Sequence, residues 1–182
     1  MTSILKVDNI QNASGTGTPY ITGAVLQVQY TQYTAKTNVS MSSGVATTVD
    51  VLAVNITPKS TSSIIRLDAH VFHEWNDPDA QYNSGWVFFR DSTKLAAPQN
   101  GNRLSVISQS SISYYNSDAG TTNEIVNYSY FDAPNTTNQI TYKVGVVSHY
   151  NTNVHINSTK NDDNTTTNSR GISFISATEI GG

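Results

Sequence analysis

The stretch Ile64-Ile65-Arg66-Leu67-Asp68-Ala69-His70-Val71-Phe72-His73-Glu74-Trp75 decides the fold. Ile65, Leu67, Ala69, Val71, His73 and Trp75 alternate along it with Ile64, Arg66, Asp68, His70, Phe72 and Glu74. Successive side chains of a strand point to opposite faces, so this pattern predicts a β-strand with one face turned to a core. No helical period of useful length competes with it anywhere in the chain. The same alternation returns on the N-terminal side, where Ala24, Leu26, Val28 and Tyr30 are expected on one face and Gln27 and Gln29 on the other. Residues 45–56 form a second strand, nearly continuous in Val, Leu and Ile, that ends at Thr57-Pro58-Lys59-Ser60-Thr61-Ser62.

Further strands are predicted at 86–90, 103–115, 124–131, 139–149, 154–157 and 171–180. Turn-forming clusters separate them: Asn76-Asp77-Pro78-Asp79, Asn100-Gly101-Asn102, Asp118-Ala119-Gly120, Asp132-Ala133-Pro134-Asn135 and Asn161-Asp162-Asp163-Asn164. Eight or nine strands at this spacing predict an all-β fold, an antiparallel β-sandwich that is jelly-roll-like. No internal repeat of fixed period is visible. Within 103–115, Val106, Ile107 and Ile112 sit among many serines, which suits either a solvent-facing sheet or a subunit interface near a symmetry axis.

Composition narrows the function. Charged residues make up 13% of the 182, about half the usual share, so solubility rests on Ser, Thr, Asn and Gln. With a net charge of −3 there is no basic footprint for nucleic acid. The apolar stretches Ile64-Ile65 and Trp86-Val87-Phe88-Phe89 are far too short to span a bilayer, so no membrane insertion is expected. Cysteine is absent, which removes disulfides and thiolate metal sites and favours folding in a reducing cytosol. Met1-Thr2-Ser3-Ile4 lacks the basic and apolar regions of a signal peptide, and the Asn-X-Ser/Thr triplets read as chance matches in an Asn- and Thr-rich chain.

Candidate chemistry is sparse. His70 and His73 are three apart on a predicted strand and face opposite ways, unlike the His-Glu-X-X-His spacing of a zinc helix. His73, beside Trp75, is expected as a hydrogen-bonded residue at the core edge. His149 and His155 flank Tyr150-Asn151-Thr152-Asn153, which places them across a hairpin from each other or leaves them as structural histidines. A paired cluster would charge below about pH 6.5 and weaken an assembly. Asp77-Pro78-Asp79 and Asn161-Asp162-Asp163-Asn164 gather oxygens of the kind calcium takes, yet neither has EF-hand spacing, and turn chemistry accounts for both. No cofactor or metal is expected. There is no nucleophile elbow, phosphate loop or paired-carboxylate motif, so the chain does not read as an enzyme. Ten tyrosines and two tryptophans offer stacking surfaces instead. Trp86, Tyr114, Tyr115, Tyr128 and Tyr130 are candidate glycan or subunit contacts.

The N-terminal residues differ from the rest. Ile4, Leu5, Val7 and Ile10 supply a few apolar anchors, after which Gln11-Asn12-Ala13-Ser14-Gly15-Thr16-Gly17-Thr18-Pro19 breaks any regular element. Residues 1–18 therefore read as an extended attachment arm and 19–182 as the sandwich domain. Strand addition to a partner's sheet edge, with Ile4, Val7 and Ile10 filling pockets, is one way such an arm binds.

The opening Ile4-Leu5-Lys6-Val7-Asp8-Asn9-Ile10-Gln11-Asn12-Ala13-Ser14-Gly15 resembles the start of small, tail-fibre-like virion structural proteins of tailed bacteriophages, notably marine and cyanobacterial ones. In that family such a segment precedes a β-rich body. The run from Val51 through Thr57-Pro58 to Ile65 is similar to its strand, Thr-Pro turn and returning strand, and Phe89-Arg90-Asp91-Ser92-Thr93 to its Arg-Asp turn. Asp132-Ala133-Pro134-Asn135, Thr141-Tyr142-Lys143-Val144 and Arg170-Gly171-Ile172-Ser173-Phe174-Ile175 also resemble family segments. The resemblance implies a homotrimeric surface protein of the virion, assembled in the host cytoplasm, with capsid or tail proteins as partners and no catalysis. No coiled coil or fibrous shaft is present, which favours a head-decoration or tail-tip unit over a full-length fibre. A receptor-binding module for host surface glycan is the alternative. A glycan hydrolase would need two carboxylates facing each other across a cleft about 5–10 Å wide.

Overall fold

The computed structural model describes residues 22–110 and 120–182. The arm 1–18, with Ile4, Leu5, Val7 and Ile10, lies outside the described residues, as do Tyr114 and Tyr115. Among the described residues the first elements are β1 (Val25–Tyr33), β2 (Thr37–Met41), β3 (Thr47–Ile56), β4 (Ile64–Trp75) and a single short helix, α1 (Pro78–Tyr82). There follow β5 (Ser84–Arg90), β6 (Thr93–Leu95), β7 (Glu124–Asp132), β8 (Ile140–Ser148), β9 (Thr152–Ile156) and β10 (Ser173–Ile180). Two antiparallel sheets pack face to face, an all-β sandwich as the alternation predicts.

The stretch that announced the fold is its spine. One edge of β4 pairs with β10 along Ile64–His70 and then with β9 along His73–Trp75. Its other edge pairs with β7 along Ile65–His73. β9 and β10 thus lie end to end, with β2 outside β9 and β1 outside β10. The second sheet runs β3-β8-β5-β6. Ile65, Leu67, Ala69 and Val71 of β4 are buried against Leu52, Phe88, Tyr142 and Val144 of that sheet. Arg90 of β5 donates from Nη1 to both carboxylate oxygens of Asp132 at 3.0 Å, and Tyr142 Oη donates to the same carboxylate at 2.7 Å. One acid at the end of β7 thereby ties the two sheets together.

Four expectations are corrected. First, Val28 and Tyr30 do not face the core; they are 52% and 74% exposed. Val25 pairs with Ile180 and Gln27 with Glu179, so two steps of β1 oppose one of β10. That bulge slips the register, and a one-residue slip sends every side chain to the other face. Second, 103–110 contains no ladder beyond the single bridge Trp86↔Ser108. Leu104 and Val106 pack instead over Val87, Phe89 and Val147 on the outer face of the second sheet. Gly85 admits them, since a Cβ there would stand 2.5 Å from Val106 Cγ1. Third, His149 and His155 are not across a hairpin, because β8 and β9 belong to different sheets. Fourth, His73 is fully buried in the core rather than at its edge. Strands β2 and β6 and helix α1 were not predicted. They are short, and Asp77 caps the helix by accepting from Asp79 N at 2.9 Å.

Candidate functional site

The described aromatic candidates, Trp86, Tyr128 and Tyr130, do not form a surface. Trp86 is fully buried, with its ring 4.8 Å from that of His73 and 6.0 Å from that of Trp75. Tyr128 is also buried; its ring lies 4.6 Å from Phe88 and its hydroxyl donates to Val87 O at 2.9 Å. Tyr130 is half-buried on the same inward face of β7, packed against the core. Trp86 and Tyr128 are therefore sandwich core and present no face to a glycan or a sister subunit. This overturns their reading as contact residues. Aromatic rings bury large areas and favour the interior wherever their polar tips find partners, as both do here.

Polar side chains inside that core form a chain of hydrogen bonds. Trp86 Nε1 donates to Ser110 Oγ at 3.1 Å, and Ser110 Oγ lies 2.7 Å from His73 Nε2. His73 Nδ1 is 3.1 Å from Val71 O, so the string runs from an indole to a carbonyl when the imidazole is neutral. Burial enforces that state by pushing His73 down to about 4. A serine beside a histidine invites comparison with a nucleophile and its base. Here the far ring nitrogen meets a backbone carbonyl instead of a carboxylate, and the serine oxygen already accepts from Trp86. The arrangement orders the core.

Glu124 adjoins this string, with Oε2 at 3.6 Å from His73 Nε2 and neither carboxylate oxygen hydrogen-bonded. Burial, reinforced by the neighbouring Glu74, pushes its carboxyl up to about 7. A carboxyl raised above its ordinary 4.5 in the folded state favours the protonated form. Ionisation adds no cost below about pH 4.5; the cost grows as pH rises from there and is fully present above about 7. Glu124→Gln is therefore expected to stabilise the protein at pH 8 by roughly 2–3 kcal/mol. The gain should vanish by about pH 4.5. Urea titrations of both proteins across that range check it, and a gain independent of pH would contradict the assignment.

The described surface carries a polar hollow beside β2. A cavity of about 410 Å³ is lined by Lys36, Asn38, His155, Ser158, Lys160 and Asp162, among others. A second, of about 290 Å³, runs between β2 and β3 past Ser40, Thr48 and Asp50. Thr37 and Asn38 line both, so the two cavities adjoin along β2, an outer strand of its sheet, as a groove of two compartments.

Buried groups hold its walls. Asn157, in the left-handed region at φ 60°, donates from Nδ2 to Tyr33 O at 2.8 Å and Ala35 O at 2.9 Å. Its Oδ1 accepts from Ser173 Oγ at 2.7 Å. That side chain fixes the β1–β2 connection, which carries Lys36, against the segment after β9. Glu74, fully buried, accepts from Lys160 N at 2.9 Å and Thr122 N at 3.0 Å. Thr159 Oγ1 accepts from Asp162 N at 3.1 Å.

Asp162 bonds Lys36 and, at 2.6 Å, Arg170. Lys36, hydrogen-bonded to it, and Arg170 hold its carboxyl below the ordinary range. The Asn161–Asn164 run thus uses its acid in ion pairs, and Asp77 uses its own as a helix cap. Burial and Lys160 push His155 down. Among the described residues no three His, Asp or Glu side chains gather as a metal centre would require.

Sequence reading singled out neither Lys36 nor Lys160. Their only local signal is a cation beside a turn cluster.

A second surface feature is apolar. The outer face of the β1-β10-β4-β7 sheet exposes Val25, Val28 and Tyr30 on β1, Phe174 on β10, and Ile125 and Phe131 on β7. His70 stacks on Phe174 with ring centroids 5.6 Å apart and donates from Nδ1 to Asn127 Oδ1 at 2.7 Å. Compared with known proteins, the chain matches no family model and no curated sequence.

Proposed function

We propose that this chain is a structural component displayed on the surface of a tailed-bacteriophage particle, as a head-decoration or tail-tip unit. It is anchored through residues 1–18 and associates as a homotrimer. The single observation that carries an assembly role is the outer sheet face just described. Tyr30 at 74%, Phe131 at 60% and Val25 at 60% exposure share one sheet that no other described element covers. Exposed apolar side chains at both margins of one sheet face, with Arg66, Asp68, Ser176 and Thr178 between them, suit a protein–protein contact. β1 is also the outermost strand of that row, so it offers an edge as well as a face. Residues 1–18 precede β1 in the sequence by only a few positions.

The virion setting rests on the resemblance of the opening segment and of the Thr-Pro and Arg-Asp turns. A jelly-roll connection is supported by strand order. The first sheet contains the row β2-β9-β4-β7 and the second reads β3-β8-β5-β6, so successive strands from β2 to β5 shuttle between sheets. In this scheme β1 and β10 extend the first sheet beside β4.

The test is a deletion. A chain lacking residues 1–18 is expected to keep its circular dichroism and melting temperature while failing to join particles made in its presence. Retained incorporation sinks the anchor. Tyr30→Lys together with Phe174→Lys should convert a trimer to monomer in sedimentation without unfolding it. An oligomer that persists would remove the apolar face from the interface.

A further inference from the structure

We propose that the groove along β2 is a saccharide site whose deeper end takes an acidic sugar, with the carboxylate received by Lys160 and Lys36. Its two cavities, about 410 and 290 Å³, together match the size range of small-molecule sites. They share Thr37 and Asn38, so the space is elongated and suits more than one sugar ring. The lining is hydroxyl, amide and charge. Ser158, Thr37 and Asn38 face the deeper cavity, and Ser40, Thr47 and Thr48 the shallower one. An apolar ligand would strand those donors and acceptors without partners, whereas a polyol satisfies them.

Charge selects the acid. Lys36 and Lys160 line this cavity together with Asp162, which pairs with Lys36 and, outside the lining, with Arg170. Lys160 is exposed, and its ammonium has no hydrogen bond or ion pair among the described residues, so it is the free cation at this end. At the shallower end Asp50, bonded to Lys143 at 2.8 Å, keeps further acceptor capacity for sugar hydroxyls. His155, whose Nε2 faces Asn76 Oδ1 at 3.5 Å, leaves its Nδ1 as an acceptor.

The walls are set before any ligand arrives. Asn157 and Glu74 are buried and hold the two sides of the deeper cavity by backbone hydrogen bonds. Ordering costs at binding are correspondingly small. Single-stranded nucleic acid fits less well, because no Phe, Tyr or Trp is among the described residues that line the groove for base stacking.

The experiment is titration calorimetry on the full chain with four probes. They are a glucuronic-acid disaccharide, its neutral glucose counterpart, inorganic phosphate and a short thymidine oligonucleotide. The acidic disaccharide is expected to bind at least about tenfold more tightly than each of the others. Lys160→Gln is expected to weaken it by about tenfold with an unchanged melting temperature. Lys94→Gln, on β6, should change nothing.

Several results would overturn the site: no binding of the acidic sugar, equal binding of the neutral one, or phosphate or the oligonucleotide binding as tightly. Full affinity in Lys160→Gln would do the same. None of these outcomes bears on anchoring by residues 1–18, which the particle-incorporation assay reads separately.

Discussion

Trp86→Ala is expected to lower the free energy of unfolding by about 3–5 kcal/mol, the range for removing a large buried aromatic side chain. The indole is fully buried at the centre of the sandwich. Its loss would leave a cavity bounded by His73, Trp75 and the sheet partners of β5, which is bonded to β8 over its whole length. It would also remove the donor to Ser110 Oγ, which in turn meets the buried His73. Denaturant midpoints at constant slope read the effect directly. A loss below about 1 kcal/mol would place Trp86 at a surface, as a sugar-stacking role requires. The surface variant Tyr30→Lys should by contrast stay within about 0.5 kcal/mol of the parent.

Glu179→Ala carries the second large effect, expected at about 3–4 kcal/mol. The carboxylate is fully buried, yet it accepts three hydrogen bonds. Oε1 takes Lys59 N and Ser63 Oγ, each at 2.6 Å, and Oε2 takes Gln27 Nε2 at 2.6 Å. A single acid on β10 therefore pins the β3–β4 connection and β1 to the same strand. Bonds to an ionised acceptor are short and strong, and removing the acceptor leaves Ser63, itself buried, without it. Gln27 and Lys59 can recover water, which keeps the cost below three full bonds. Glu179→Gln keeps the shape but turns an amide N–H toward a donor, so it should lose less than Ala and still be destabilised. Hydrogen exchange at the Lys59 amide should quicken in both variants. If it did not, the carboxylate would not be holding that turn.

How legible these features were differs residue by residue. β4 was readable end to end because one of its faces is core along its whole length, so burial and local alternation agree. β1 carried the same signal and misled, since the bulge beside Val25 depends on how β10 aligns against it and not on its own residues. Residues 103–110 are apolar enough for a strand, but Leu104 and Val106 serve as a cover for Val87 and Phe89. Gly145 on β8 belongs to the same layer: a Cβ there would sit 2.4 Å from Phe89 Cε2. Nothing local distinguishes Trp86 as core from Trp86 as platform. Glu179 read as an ordinary polar residue of a closing strand, and only its register opposite Ile65 carries it inside.

The candidate groove lay further from view. Its walls come from the β1–β2 connection, β3 and the segment after β9, joined by Asn157 and Glu74 over long sequence separations.

By itself the sequence determined the class of fold: strands that alternate, turns that separate them, and a charge-poor chain that must face water through hydroxyls and amides. These follow from backbone geometry and residue type, which act over a few positions. The tertiary structure alone decided which face of β1 looks outward, which aromatics are core, and which cation stands free beside β2. Those outcomes depend on register and on non-local closure, because a strand's side chains acquire an inside only when another strand fixes their alignment.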